Sequence, residues 1–506
     1  MPDFDSAFLA FPSRELAGAA LERANELGAE HADFRLERTR AASLALHDIR
    51  VESSSDREDV GLAVRVIHDG AWGFASGIAR TAAAAAQLAE QAVATAQVSR
   101  VLSSAPVELA AEPIYADATW ISAYDINPFD IAESDRVARL AELSERLLAA
   151  DGVDHVDARL AIVLENKFYA DAHGTVTTQQ RVRVYPEFTA LHVDRAAGAF
   201  FSMRTLAPPA ARGWEYLTGT GWDFDAEIAE LPELLREHAK APSVEAGTYD
   251  LVIDPSNLWL TIHESIGHAT ELDRALGYEA AYAGTSFATL DKLGTLKYGS
   301  AVMNVTGDRT VEHGLATIGF DDEGVATQQF DLVKDGILVG YQLNRQMAHD
   351  NADQLAMSRS NGCAFADSAG HIPLQRMANV SIQPAPDGPS TEELISGVDR
   401  GIYIVGDRSW SIDMQRFNFQ FTGQQFHRIE NGKLAGQLRD VAYQATTTDF
   451  WGSMEAVGGP ETYVLGGADN CGKGQPGQVA PVSHGCPAAL FRGINILNTK
   501  TEAGRD

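Results

Sequence analysis

PSNLWLTIHESIGHATELDRAL, residues 255–276, is the stretch on which the reading of this chain turns. Its apolar character and lack of internal proline predict a helix. Within it, His263-Glu264-Ser265-Ile266-Gly267-His268 sets two imidazoles and a carboxylate close together. The helical zinc pattern H-E-x-x-H places two histidines one turn apart on one face, with the glutamate as general base. Here the spacing is one residue longer. In a regular α-helix five residues advance about 500°, which leaves the two side chains about 140° apart. Joint chelation therefore requires one wider turn, a π-bulge, a device that favours functional sites. Gly267 can relax the backbone there at low steric cost.

A catalytic zinc takes three protein ligands and keeps one position open. Glu271 and Asp273, one turn on, are candidates for the third ligand. Cys471 is a better one, in the glycine-dense loop LGGADNCGKGQPGQ with Lys473 beside it, because thiolates bind zinc well. A His263/His268/Cys471 site leaves a place for water, whose pKa zinc lowers towards neutrality, and Glu264 can take its proton. Residue type alone also allows plainer roles in a chain with 14 histidines. His263 can be a hydrogen-bonded core residue, Glu264 a solvated helix residue and Cys471 an inert buried thiol.

Outward from this stretch, the 506 residues exceed one ordinary core and predict two or three domains. Residues 14–28, 80–98, 133–150 and 223–240 read as helices. Short alternating runs, ADFRLERT, SLALHDIRVE, GLAVRVIHDG and AWGFASG, read as strands between the first two helices, with a hairpin at Asp69-Gly70. Further alternating strands follow the third helix to about residue 206, turning at Ala172-His173-Gly174. Residues 101–130 are a connector, and residues 241–247 (APSVEAG) the best domain boundary. Beyond it the chain is rich in short strands and glycine, with hairpins expected at Lys334-Asp335-Gly336 and Glu430-Asn431-Gly432-Lys433. The expected fold class is α+β. Residues 1–240 form an N-terminal α/β region with antiparallel strands and helices, in sub-blocks of about 1–100 and 130–240. Residues 241–506 form a β-rich, barrel-like catalytic domain.

Composition bounds the function. A formal net charge of −30 argues against general nucleic-acid binding, which needs a basic surface. No apolar run reaches the roughly 18 residues a membrane helix needs. The N-terminus lacks the basic start of a secretory signal. Three cysteines, Cys363, Cys471 and Cys486, suggest no disulfide framework and fit a reducing cytoplasm.

Several ordered motifs carry a family resemblance. HESIGHATELD (263–273) resembles the H-E-x-x-x-H-x-x-E-x-D signature of the TldD/PmbA family, the U62 or microcin-processing peptidases. IGFDDEG (318–324), GHIPLQRMAN (370–379), IENGK (429–433) and CGKGQ (471–475) resemble its further motifs in order, so the likeness covers nearly the whole chain. Both histidines, the glutamate and the cysteine are kept, as in the metal-bearing TldD type. The resemblance implies a zinc metallopeptidase with one zinc per chain, held by His263, His268 and Cys471, and Glu264 as general base. It implies a β-rich catalytic region and a PmbA/TldE-type partner in a heterodimer that encloses the site. Substrates would be peptides and unfolded segments.

His371 and Arg376 are candidates for holding substrate, His371 at an oxyanion and Arg376 at a carbonyl or carboxylate. Two stretches depart from the family pattern: 408–433, rich in aromatic and basic residues, and 439–460. Cys486, in SHGCP, has no role in the resemblance, and His484 beside it fits an accessory metal site or a structural role. Two other classes compete: a binding subunit without catalysis, and a metal-dependent amidohydrolase on non-peptide substrates.

Overall fold

Four long strands organise the N-terminal region of the computed structural model, which describes residues 3–103, 105–474 and 476–502. Strand β1 (His31–His47) pairs antiparallel with β2 (Arg50–His68), and β2 with β3 (Ala71–Gly77). β4 (Ala118–Ile121) runs parallel to the later β6 (Val176–Asp194), and β5 (His155–Asp171) joins β1 to β6. β7 (Ala199–Arg204) also pairs with β6. Strands from both expected sub-blocks thus share one sheet. The short runs read from sequence are pieces of these longer strands. Residues 52–59 are almost wholly exposed, so no apolar alternation marks them, and their pairing with β1 holds them extended.

The helices lie close to their expected positions. α1 (Ser6–Leu9), α2 (Ser13–Glu26) and α3 (Ala82–Arg100) share a core with Phe34, Leu36 and Val64 of the sheet. α4 (Glu133–Leu148) and α5 (Phe224–Lys240) put Leu140, Leu143, Ile228 and Leu235 with Val156, Ile162 and Phe188. Burying each such side chain contributes about 1.5–3 kcal/mol.

A buried charge network ties this sheet to the Asp-Asp-Glu-Gly turn at 321–324. Arg65 donates twice to Asp33, at 2.9 and 2.7 Å, and once to Glu323 at 3.0 Å. Lys167 donates to Asp322 at 2.9 Å. Burial alone would push the Asp33 carboxyl up, but Arg65 and His31 outweigh it and hold it at about 2. A depressed folded-state pKa contributes stability above the unfolded value near 4, and that stability is lost as pH falls towards 2. Asp33→Asn is expected to cost about 3 kcal/mol at neutral pH by leaving Arg65 undercompensated. Urea unfolding checks this, and the gap to the parent should narrow below pH 4.

The second half begins with β8 (Gly247–Ile253), followed by α6 (Pro255–Ile262). β9 (Val305–Asp308), β10 (Gln329–Lys334), β11 (Ile337–Leu338), β12 (Ala364–Phe365), β13 (Leu374–Gln375) and β14 (Asn379–Ile382) come next. They form a four-stranded sheet, β11-β10-β9-β14, and a separate β12-β13 pair. The remaining strands are β15 (Arg400–Ile412), β16 (Asn418–Glu430), β17 (Lys433–Leu438), β18 (Val441–Thr446), β19 (Met454–Val457), β20 (Val464–Lys473), β21 (Gln478–Cys486) and β22 (Ala489–Asn498). The pairings β8-β22-β18-β16-β15 return to β8 and close a five-stranded barrel. The α+β class and the barrel-like C-terminal region expected from sequence are both present.

The expected hairpin turns at Asp69-Gly70, Asp335-Gly336 and Asn431-Gly432 have positive φ at both positions, as two-residue hairpins require. A fourth such turn, Asp48-Ile49 with φ of 45° and 63°, lacks the glycine signal and escaped the sequence reading. α6 and the turn after it share the barrel core: Leu258, Ile262 and Ile266 belong to one cluster with Ile402, Ile404, Phe421 and Tyr443. No described helix is long and apolar enough to cross a membrane.

Candidate metal centre

Helix α6 starts at Pro255, where the Asp254 carboxylate accepts the Ser256 N–H at 2.9 Å. Tyr403 donates its hydroxyl to the other Asp254 oxygen at 2.8 Å, so the barrel wall holds the helix start. Residues 263–267 then form a π turn, in which the His268 N–H reaches the His263 carbonyl. The extra residue in that turn removes the angular gap that a regular helix would leave. The two imidazole centroids lie 4.7 Å apart. A tight turn at His268–Thr270 and an extended Glu271 follow, so the helix expected through residue 276 resumes only as α7 (Leu272–Ala275). Gly267 has an ordinary helical φ of −52°. Packing, and not backbone freedom, is what a side chain there would disturb: a Cβ would stand 2.5 Å from Met377 Sδ and displace the end of that side chain.

The β20–β21 ribbon carries Cys471 to this turn, with Sγ 3.8 Å from His268 Nε2. The ligand atoms of His263, His268 and Cys471 all lie within 4.8 Å of one another, and all three residues are buried. Burial pushes the Cys471 thiol up, but the nearby His268 and Arg376 outweigh it and bring it below the usual thiol value. Burial pushes both histidines down, which favours neutral imidazoles.

Each imidazole is oriented through its other nitrogen. His268 Nδ1 lies 2.8 Å from Glu271 Oε2, and the second Glu271 oxygen accepts from Lys473 at 3.0 Å. Lys473 also bonds Asp273 and the Gln375 side chain and carbonyl. Glu271 and Asp273, the alternative third ligands, are therefore held behind the site. His263 Nδ1 lies 2.7 Å from His484 Nε2, and His484 Nδ1 lies 2.8 Å from the Val380 carbonyl oxygen. That carbonyl can only accept, so His484 carries its proton on Nδ1 and accepts at Nε2. His263 then donates from Nδ1 and presents the Nε2 lone pair. Both histidines thus offer Nε2, and the donor set N, N, S suits zinc.

Glu264 is paired with Arg416, which donates to its Oε2. Arg416 stands in the β15–β16 loop with φ of 64°. The loop is held by Asp413, whose carboxylate accepts the N–H groups of Gln415, Phe417 and Asn418. A cavity of about 760 Å³ opens on the site, lined there by Trp259, His263, Glu264, His268, Trp410 and Cys471. Its far wall comes from β1, β5 and β6, including Ala45, Arg159 and Tyr185.

The structure does not bring His371 and Arg376 to this cavity. Arg376 is 1% exposed and donates to the main-chain carbonyls of Cys471 and Gln478, so it braces the ribbon. His371 bonds Asp367 at 2.6 Å, and its carbonyl accepts from Arg35. Cys363 and Cys486 are free, buried thiols outside the His263–His268–Cys471 group. Gln475, in the expected CGKGQ motif, lies outside the described residues. Sequence reasoning missed the site role of Arg416 and the bond from His484 to His263. SHGCP showed the histidine, but its partner is 221 positions away.

Models of the PmbA/TldA metallopeptidase C-terminal domain and of domain 1 match residues 246–498 and 32–96. The chain is 25% identical to a metalloprotease of Methanothermobacter thermautotrophicus, over 93% of this chain and 96% of that protein. It is 23% identical to a zinc metalloprotease TldD homolog of Saccharolobus solfataricus, over 94% and 98%. In fold it is similar to the crystal structure of TldE from Thermococcus kodakarensis, with a TM-score of 0.72 at 15% identity, covering 95% of this chain and 99% of that one.

Proposed function

The chain belongs to the PmbA/TldD metallopeptidase family, and from that membership we propose that it is a zinc-dependent peptidase of the TldD type. The observation that carries this reading is the convergence of His263, His268 and Cys471 on one point beside Glu264. These three would hold one zinc. When bound, zinc supplies a Lewis acid for a carbonyl oxygen and lowers the pKa of water.

The chain's own groups do the rest. Arg416 anchors Glu264 Oε2 and leaves Oε1 to take a proton from the attacking water and return it to the leaving amine. Glu271 and His484 hold the two imidazoles in the tautomer that presents Nε2. Trp259 and Trp410 form apolar wall, against which an extended peptide would lie, its main chain giving affinity without strict sequence demand. The cavity accommodates a short extended segment and excludes a folded domain, which favours peptides or unfolded polypeptide as substrate. The proposed partner is a PmbA/TldE-type subunit, seated over the exposed Trp410 and Met414 near the site. Three cysteines without a disulfide among them support a cytoplasmic location.

Elemental analysis of the purified chain, with peptide cleavage measured with and without chelator and with the partner added, tests the reading. A metal-free protein that still cleaves, or a zinc-loaded one inert with the partner on every unfolded substrate, overturns it. A panel including small amides separates peptidase from amidohydrolase. Arg416→Ala is expected to lower kcat about 10- to 100-fold with KM nearly unchanged, and Arg416→Lys to restore part of it. Steady-state kinetics on a short peptide checks both. His484→Leu is expected to weaken zinc binding about 10- to 100-fold, read by chelator competition.

A further inference from the structure

The tip of the β1–β2 hairpin gathers a second set of metal-ligating atoms, away from the site above. His47, Asp48 and His155 offer ligand atoms that all lie within 4.8 Å of one another. Asp48 Oδ2 is 2.8 Å from His155 Nδ1 and 3.5 Å from His47 Nε2. The backbone pre-sets this carboxylate: Asp48 Oδ1 accepts the Val156 N–H at 2.9 Å, and the Asp48 N–H donates to the Val156 carbonyl at 2.9 Å. Only Oδ2 is left to face the two imidazoles.

The histidines are ordered too. His47 and Asp157 are opposite one another across β1 and β5, and His47 Nδ1 lies 2.7 Å from Asp157 Oδ1. That contact leaves His47 Nε2 pointed at Asp48 and gives the imidazole the outer carboxylate that metal-ligating histidines commonly have. The rings of His47 and His155 stack with centroids 5.5 Å apart. Asp48 and Ile49 both adopt left-handed backbone. A β-branched residue there is strained, and such strain gathers at functional turns. The side chains of His47, Asp48 and His155 are 42%, 33% and 47% exposed, so a cation has access and water can complete its coordination.

We propose that His47, Asp48 and His155 form a second binding site, for a borderline divalent cation of the zinc, cobalt or nickel class. Two imidazoles and one carboxylate with open positions suit such ions over calcium or magnesium. The site stands at the rim of the cavity: Ala45 and Arg159, which line it, are two residues along the same strands from His47 and Asp157, roughly 7 Å. It is independent of the His263 centre in both residues and ligand chemistry, since it contains no sulfur.

The test is a Co²⁺ titration of the metal-free full chain at pH 7.5, followed by visible absorption and calorimetry. Two equivalents are expected, the first with thiolate charge-transfer absorption and the second without. The double variant His47→Ala/His155→Ala should weaken the second event at least about a hundredfold and leave the first intact; Asp157→Asn should weaken it about tenfold. Cys471→Ala should abolish the charge-transfer band and leave the sulfur-free event unchanged, so failure of the two sites is distinguishable. His47, His155 and Asp157 are surface residues, and an unchanged thermal midpoint of their metal-free variants confirms their fold. Absence of a sulfur-free binding event in the parent, or a sulfur-free event that the double variant retains, overturns the proposal.

Discussion

Glu264→Ala is expected to lower peptide cleavage about a thousandfold and to leave zinc content unchanged. The carboxylate is next to His263, a proposed ligand, but lies outside the group of converging side-chain atoms. It faces the cavity and is held by Arg416 from one side. Alanine removes the proton acceptor and leaves the N, N, S donors in place. Glu264→Gln is the sharper variant, because its amide oxygen can still accept from Arg416 while no longer taking a proton. An equal loss in both variants assigns the defect to proton transfer; recovery in Glu264→Gln would assign it to positioning. Single-turnover cleavage alongside zinc analysis reads the outcome, and near-parental cleavage by Glu264→Ala would remove Glu264 from the mechanism.

Cys471→Ala is expected to weaken zinc binding by roughly 100- to 1,000-fold, the loss of one of the three proposed protein ligands. Cleavage should fall in parallel at limiting zinc. The metal-free variant should unfold close to the parent, since the exchange removes one small buried group. His263→Ala should lose zinc to a similar degree and also strip His484 Nε2 of its partner. That leaves a buried imidazole acceptor unsatisfied, at about 1–3 kcal/mol. Denaturation of the metal-free proteins should therefore rank His263→Ala below Cys471→Ala in stability, a difference that ligand loss alone does not produce.

What the chain discloses without its structure follows from range. The wide turn at 263–267 was legible because two histidines five apart cannot chelate together on a regular helix, a constraint contained within one turn. Hairpins marked by Asp-Gly or Asn-Gly were legible for the same local reason. The Asp48-Ile49 turn was not, since neither residue advertises left-handed backbone as glycine does. Residues 52–59 hid their strand because a partner, and not burial, holds them. Barrel closure depends on β15 meeting both β8 and β16, pairings that no local pattern carries. At the centre, residue type and resemblance singled out Cys471, whereas His484 and Arg416 became visible only through contacts across more than 150 positions. Arg376 resembled a substrate anchor in sequence and is a brace on the Cys471 carbonyl in space.

In the proposed site one zinc is shared by two histidines and a cysteine far apart in sequence. Zinc K-edge X-ray absorption on the full chain loaded with one equivalent tests it most directly. One sulfur at about 2.3 Å and nitrogen or oxygen neighbours at about 2.0–2.1 Å are expected, with the sulfur shell absent in Cys471→Ala. A shell of nitrogen and oxygen alone, or a sulfur contribution that survives Cys471→Ala, would contradict it.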